Sequence, residues 1–188
     1  MIIKDLGIVP YEEIDVILES YIPKTNIDNF LLLCTHPPVY TVGSQEYQCN
    51  LPVIRSDRGG SITYFDEGSL MLYFAFLVPN PARFYAKVVA AMQQFFANFT
   101  DTIFYDKKHP GFYIQNRKIA SLGFRYKNGA SKHGVALHIN PNLLNFNKIA
   151  PCDLKNIQAT SLWAEGYEIS MQEAKILATK AVIDVFET

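Results

Sequence analysis

Cys152 stands directly behind Pro151 in NKIAPCDLKNIQATS, residues 147–161, a stretch with neither helical nor strand periodicity. A cysteine set in a loop by a proline is either an incidental thiol or a nucleophile. The nucleophile is the thiolate, which a nearby cation or base supplies by lowering the thiol's pKa or taking its proton. The other two cysteines read differently. Cys34 ends the apolar run from Phe30 to Leu33 and fits a buried small hydrophobe, while Cys49, in YQCNLP, fits an incidental thiol in a polar turn. An odd count without CxxC spacing suits neither a disulfide framework nor a zinc knuckle.

A cation for Cys152 can be sought on a hairpin. Asn128-Gly129 lies between the apolar runs KIASLGFRY and GVALHIN, and both of its positions tolerate positive φ, as a two-residue turn requires. If these are the loop residues, 127 pairs with 130, and counting outward places Lys118 opposite Ile139 at the far end of the hairpin. From there the chain runs only a short way to Cys152. Lys118 is therefore the candidate partner, the alternative being a solvated lysine at a strand end.

The same register pairs Ser121 with Ala136 and Gly123 with Gly134 on one face. Glycine weakens a strand interior and marks close approach of a ligand or another backbone. Two readings stay open: a shallow trough for a thin apolar chain, or tight packing under a helix. Gly59-Gly60 in RSDRGGSITY is likewise either a turn or a backbone surface for substrate. His36, His109, His133 and His138 do not repeat at metal-ligand spacings, so no metal is expected, and no GxxxxGK phosphate loop is present.

The elements that must position these residues follow from periodicity. YEEIDVILESYI carries Ile14, Ile17, Leu18 and Tyr21 on one helical stripe. NFLLLCTHPPVYTVG reads as a buried strand, a Pro37-Pro38 break and a second short strand, and SITYFDEGSLMLYFAFLV as two strands around a turn at Asp66 to Ser69. Asn80-Pro81 starts a helix predicted over 81–99, with Phe84, Val88, Met92, Phe95 and Phe99 on one face. IFYD, GFYIQ and the hairpin follow, then a short helix after Asn140-Pro141. A last helix starts where Ser170 and Glu173 have capping-box spacing. Strand runs with hairpin connections, set apart from helices, define an α+β class: a single domain over 1–188 with a mixed, mainly antiparallel sheet flanked by helices.

The bulk numbers bound the partners. A chain of 188 residues, 49% hydrophobic and 19% charged, can build one sizeable core. A net charge of −1 gives no overall field for nucleic acid or an anionic membrane. The start, MIIKDLGIVPYEEI, lacks the features of a signal peptide, and the longest apolar run, LMLYFAFLVP, is about half what a bilayer needs. A cytoplasmic protein without membrane or nucleic-acid partners is expected.

THPPVYTVG, RGGSITY, RKIASLGFR, KHGVALHIN and IAPC, followed by ATSL, resemble in order the motifs of the lipoyl(octanoyl) transferases, also called lipoate-protein ligase B. The similarity runs over roughly residues 30–162. It implies the biotin/lipoate ligase-like catalytic fold. It also implies transfer of an octanoyl group from octanoyl-acyl carrier protein to a lysine on lipoyl domains of 2-oxoacid dehydrogenases and the glycine-cleavage H protein, with no cofactor. By the same resemblance Cys152 is the acyl-accepting nucleophile and Lys118 its partner. The acyl-binding walls are Arg58, Gly59, Gly60, Ser61, Ile62, Thr63, Tyr64 and Phe65, then Ser121, Leu122 and Gly123, then His133, Gly134, Val135 and Ala136. Where the family follows its TY with His and then Gly-Pro-Gly-Gln, this chain has Phe65, Asp66, Glu67, Gly68 and Ser69. The alternatives are an ATP-dependent lipoate or octanoate ligase, and a non-catalytic module that binds lipoyl domains. Between 107 and 132, Lys107, Lys108, Arg117, Lys118, Arg125, Lys127 and Lys132 form a run of bases without an acid, either solvated strand edges or a landing surface for acidic partners.

Overall fold

The computed structural model describes residues 1–22, 28–45, 47, 50–149 and 157–187. The main sheet has the strand order β1 (Ile2–Ile8), β2 (Phe30–Thr35), β6 (Ser69–Ala75), β10 (Ala130–His138), β9 (Arg117–Lys127), β8 (Gly111–Ile114) and β7 (Phe104–Asp106), with β11 (Gln158–Ala159) pairing alongside β9. A second, three-stranded sheet is β4 (Val53–Arg55), β3 (Val39–Val42) and β5 (Ile62–Phe65). The expected α+β fold, mainly antiparallel, is the one observed.

Three strands carry the layering through simple alternation. On β2, β6 and β10, Leu31, Leu33, Leu70, Leu72, Phe74, Val135 and Leu137 face one side and join the core beneath the long helices α2 (Pro81–Phe96) and α4 (Met171–Phe186). The intervening Leu32, Cys34, Met71, Tyr73 and Ala136 face the other side, against α1 (Tyr11–Tyr21) and Phe65. Every residue of β10 is buried, because the strand lies mid-sheet with both faces covered. An aromatic group, Phe74, Phe76, Phe84, Phe124 and Phe186, locks the two helices to the sheet with ring centroids 5.3–6.1 Å apart.

Local signals act as the sequence suggests. Asn80 accepts a hydrogen bond from the Arg83 amide at 3.0 Å ahead of Pro81, and Ser170 and Glu173 close a capping box on α4. The helix expected to reach residue 99 ends at Phe96, where the Asn98 and Phe99 amides turn to Phe95 and Phe96 instead of continuing the ladder. The turn has both positive φ values, 52° at Asn128 and 75° at Gly129, and the ladder pairs Ala130 with Lys127, Gly134 with Gly123 and Ala136 with Ser121. The short helix after Pro141 is α3 (Leu143–Phe146). β1 was not expected from the sequence, where Lys4, Asp5 and Gly7 interrupt its short apolar pattern. It pairs parallel to β2 through the α1 crossover.

The two readings of the glycine pairs are decided by backbone proximity. A Cβ at Gly134 would overlap the carbonyl of Leu72 on β6, and one at Gly123 would lie 2.9 Å from the carbonyl oxygen of Gly59. Both glycines are required by neighbouring backbone rather than by a helix, and both still border an open cavity. Gly134→Ala is expected to lower stability by about 1–3 kcal/mol, as overpacking does, read as a shift in the urea midpoint at unchanged slope.

Candidate active site

A cavity of about 660 Å³ opens between the hairpin β9–β10, the loop before β5 and the loop joining β7 to β8. Residues 58–63 and 65, 121–123 and 133–136 line it, as does Lys118. Of the site residues expected from the sequence and described here, only Tyr64 faces elsewhere. It is 1% exposed in a separate core cluster, donates its hydroxyl to Asp66 and accepts from the Asn145 amide. Cys152 lies outside the described residues, as does Cys49; Ile149 before it and Ala159 after it both line the cavity.

Arg58 shapes the wall from inside. Its guanidinium donates to the Thr41 hydroxyl and carbonyl at 2.8 and 2.9 Å, to the Ser61 carbonyl at 2.8 Å and to the Gly59 carbonyl at 3.0 Å. This draws loop 58–61 onto β3 and presents its backbone to the cavity, with Gly59 against Phe124. The loop is also clamped from outside. Asp57 accepts from His133 Nε2 at 2.5 Å and pairs with Arg125 at 3.2 Å and Lys132 at 3.5 Å. Lys132 reaches Asp15 and Glu19 of α1 at 3.3 and 3.2 Å. Asp15, Asp57 and His133 have the spacing of metal ligands, yet the Lys132 ammonium already sits among them, and a second cation there would meet its repulsion. Burial works against ionisation of Asp57, but the His133 hydrogen bond and the surrounding cations hold its carboxyl below the usual range.

At the opposite end, Lys118 lies over the Tyr113 ring at 5.5 Å, and its stem crosses Gly111. Its carbonyl accepts from the Thr160 amide at 2.8 Å, where β11 runs parallel to β9 and sets Ala159 beside Lys118. The Thr160 carbonyl in turn accepts from His138 Nδ1 at 3.0 Å. Sequence reasoning gave His138 no site role, although its parity on β10 matches Gly134 and Ala136, which line the same cavity. Aromatic residues complete the walls: Tyr11 and Phe65, with rings 5.9 Å apart, and Tyr85, Tyr105 and Tyr126. Phe65 is buried and stacked, so the position where the family motif has histidine is here part of an apolar wall.

The departure after Phe65 has a clear local role. Asp66 accepts from the Gly68 and Asn142 amides at 3.0 and 2.8 Å, and the Gly68 carbonyl accepts from Ile139 and Asn140. The turn thereby docks on the end of β10. Among the described residues, three of the bases between 107 and 132 are paired with acids: Arg117 forms a two-pronged pair with Glu165 at 2.7 and 2.8 Å, and Arg125 and Lys132 face Asp57. Lys107, Lys108 and Lys127 remain exposed, the first two at the cavity mouth. Cys34 is fully buried, and burial pushes its thiol up to about 12, which leaves it an inert packing group.

A profile of the lipoyl protein ligase A/B catalytic domain matches residues 13–183. An octanoyltransferase of Francisella tularensis is 34% identical over 174 residues, covering 85% of this chain and 84% of that protein. One of Wigglesworthia glossinidia brevipalpis is 33% identical over 168 residues, covering 84% and 78%. Among solved structures, a lipoate-protein ligase A bound with ATP superposes with TM-score 0.77 at 12% identity, over 100% of this chain and 86% of that one. A biotin protein ligase from Aquifex aeolicus in complex with biotin and ATP gives 0.60 at 12% identity, over 99% and 70%. The chain belongs to the lipoyl protein ligase A/B catalytic domain family. It is an enzyme of the transferase class. Among the described residues no helix is long and apolar enough to cross a membrane.

Burial depresses the basicity of three histidines, His36, His133 and His138, and pushes His138 down to about 4 from an ordinary 6.5. For His138 the nearby Lys118 charge acts in the same direction, and the carbonyls of Thr160 and Lys118 oppose it. A histidine kept neutral in the fold protonates first in the unfolded chain. Its contribution to stability is therefore complete above pH 6.5, falls as the pH drops from there, and levels off below about 4. Melting temperature is expected to fall between pH 7 and pH 5, and less steeply in His138→Asn than in the parent, with His36 and His133 supplying the remaining slope.

Proposed function

We propose that this chain transfers an octanoyl group from octanoyl-acyl carrier protein to a lysine of lipoyl domains, including those of 2-oxoacid dehydrogenases and the glycine-cleavage H protein. Cys152 is the acyl-accepting thiol and Lys118 its partner. The observation that carries this reading is the convergence of Lys118 with loop 58–63, residues 121–123 and residues 133–136 on one cavity of mostly apolar lining. Relatives named octanoyltransferase, covering most of the chain at about one-third identity, support the acyl group assigned.

In the first step the Cys152 thiol gives up its proton and its thiolate attacks the carrier's thioester carbon; a C–S bond forms, the old C–S bond breaks, and the carrier sulfur leaves with the electron pair and takes up that proton. In the second, the lysine amine attacks the enzyme thioester, a C–N bond forms, the C–S bond breaks, and the Cys152 sulfur leaves with the electron pair and takes up a proton from the amine. The first exchange is close to balanced and the amide step runs downhill, so the energy comes from the incoming thioester. The chain's contribution is alignment of the partners and management of protons. Tyr113 and Gly111 hold the Lys118 side chain in place. From there its ammonium can lower the Cys152 pKa, or its amine can relay a proton between nitrogen and sulfur.

Mixing with octanoyl carrier protein is expected to add one octanoyl mass to Cys152 without ATP, and Cys152→Ser is expected to abolish both adduct and turnover. Full turnover by an enzyme that never carries the adduct, or a strict need for ATP, would exclude the scheme. The exposed Lys107 and Lys108 at the mouth are the docking cations for an acidic carrier. Reversing both to glutamate is expected to raise KM for the carrier severalfold, to leave kcat near the parent value and to flatten the dependence on salt between low and moderate ionic strength.

A further inference from the structure

His138 is 1% exposed, yet it borders the cavity that Lys118 borders. Its Nδ1 lies 3.0 Å from the Thr160 carbonyl, which can only accept, so Nδ1 carries the proton and Nε2 carries a lone pair. Nε2 has no hydrogen-bond partner among the described residues. Ser69 stands directly across from His138 in the β6–β10 ladder, and its hydroxyl is also without a partner, so the two are neighbours that do not bond. The Phe146 ring, 4.8 Å away, offers no donor in its plane. A buried acceptor left unpaired is destabilising unless something fills it.

A fixed acceptor thus stands in the cavity wall, tied to Lys118 through Thr160: His138 Nδ1 donates to the Thr160 carbonyl, and the Thr160 amide donates to the Lys118 carbonyl. This geometry narrows the ligand group that belongs there. A saturated acyl chain has no donor, and a thioester has only acceptors. Of the groups that enter with the substrates in the proposed reaction, on which this inference rests, the target lysine is the one whose reacting atom itself carries N–H donors.

We propose that His138 Nε2 receives one N–H of the target lysine amine and so aims its lone pair at the acyl carbon. The held N–H is the one that survives in the product amide. As the C–N bond forms and the C–S bond to Cys152 breaks, the electron pair stays on sulfur and the second N–H proton passes to that thiolate by way of Lys118. His138 remains neutral throughout, which suits a side chain whose basicity burial has lowered. It acts in the second half of the reaction and is idle in the first.

The test separates the halves. In His138→Leu, loading of octanoyl from the carrier is expected at near the parent rate, while transfer from the loaded enzyme to a lipoyl domain slows about tenfold to a hundredfold, the loss of one buried hydrogen bond. The loss is expected in kcat rather than KM. His138→Asn, which keeps a donor at the Nδ1 position for Thr160 but has no acceptor where Nε2 stands, is expected to load at near the parent rate and to show the same transfer defect. Loading and transfer that fall in the same proportion would make His138 merely structural and overturn the proposal. So would Ser69→Ala reproducing the transfer defect, since the acceptor would then serve Ser69.

An independent readout needs no turnover. The ¹⁵N resonance of His138 Nε2 is expected to move upfield when an unmodified lipoyl domain is added, and to stay in place with that domain's acceptor lysine replaced by methionine. An Nε2 signal indifferent to both domains would overturn the contact. A missing octanoyl adduct on Cys152 alongside a shifted Nε2 signal would instead refute the thioester scheme and leave the amine contact standing.

Discussion

β10 is the strand on which the molecule turns, because it is central in the sheet and buried along its whole length. Side chains on a strand alternate between faces, so a strand covered twice must serve two purposes in one register. Val135 and Leu137 take the core face, under α2 and α4. Gly134, Ala136 and His138 take the other, where small residues leave room for the cavity and the single large one brings a ring nitrogen to its edge. A one-residue slip would place valine and leucine in the cavity and histidine in the core. The hairpin turn at Asn128-Gly129 and the near-contact of Gly134 with the Leu72 carbonyl oppose that slip.

The cavity wall opposite is backbone rather than side chain, and backbone must be held by something. Arg58 holds it from within by donating to carbonyls of its own loop and of β3. Asp57 holds it from without through His133, Lys132 and Arg125. His133 takes part at a φ of 65°, a conformation costly for a residue with a Cβ and sustained here by the surrounding contacts. The consequence is a wall of amides and carbonyls whose position depends on charged groups that lie outside the cavity. Arg58 and His133 thus support the site mainly by positioning, whereas Gly59 and Gly123 form its surface by lacking side chains that would block it.

Much of this was legible locally. The hairpin register, the Asn80-Pro81 and Ser170-Glu173 helix starts and the burial of Cys34 depend on neighbours within a few residues or on simple alternation, and such features survive being read one segment at a time. β1 was not legible, since its strand character comes from pairing with β2 rather than from its own pattern. The basic run from 107 to 132 looked like one uninterrupted surface. Among the described residues, Glu165, Asp57, Asp15 and Glu19, brought in from distant segments, pair with Arg117, Arg125 and Lys132, while Lys107, Lys108 and Lys127 stay exposed.

The sequence by itself determined the fold class, the hairpin that aligns Ser121 with Ala136 and Gly123 with Gly134, and the residue types able to do acyl chemistry, because periodicity, turn chemistry and side-chain identity are local properties. Only the tertiary structure decided which of those residues share a cavity, that Tyr64 faces away from it, and that Phe65 closes it with an apolar ring. The same holds for His138, an ordinary strand residue until the Thr160 carbonyl, twenty-two positions later, accepts a hydrogen bond from its Nδ1, with Nε2 left without a partner among the described residues. Hydrogen-bond satisfaction in a buried space is a sum over groups from many segments, and no one segment contains that sum.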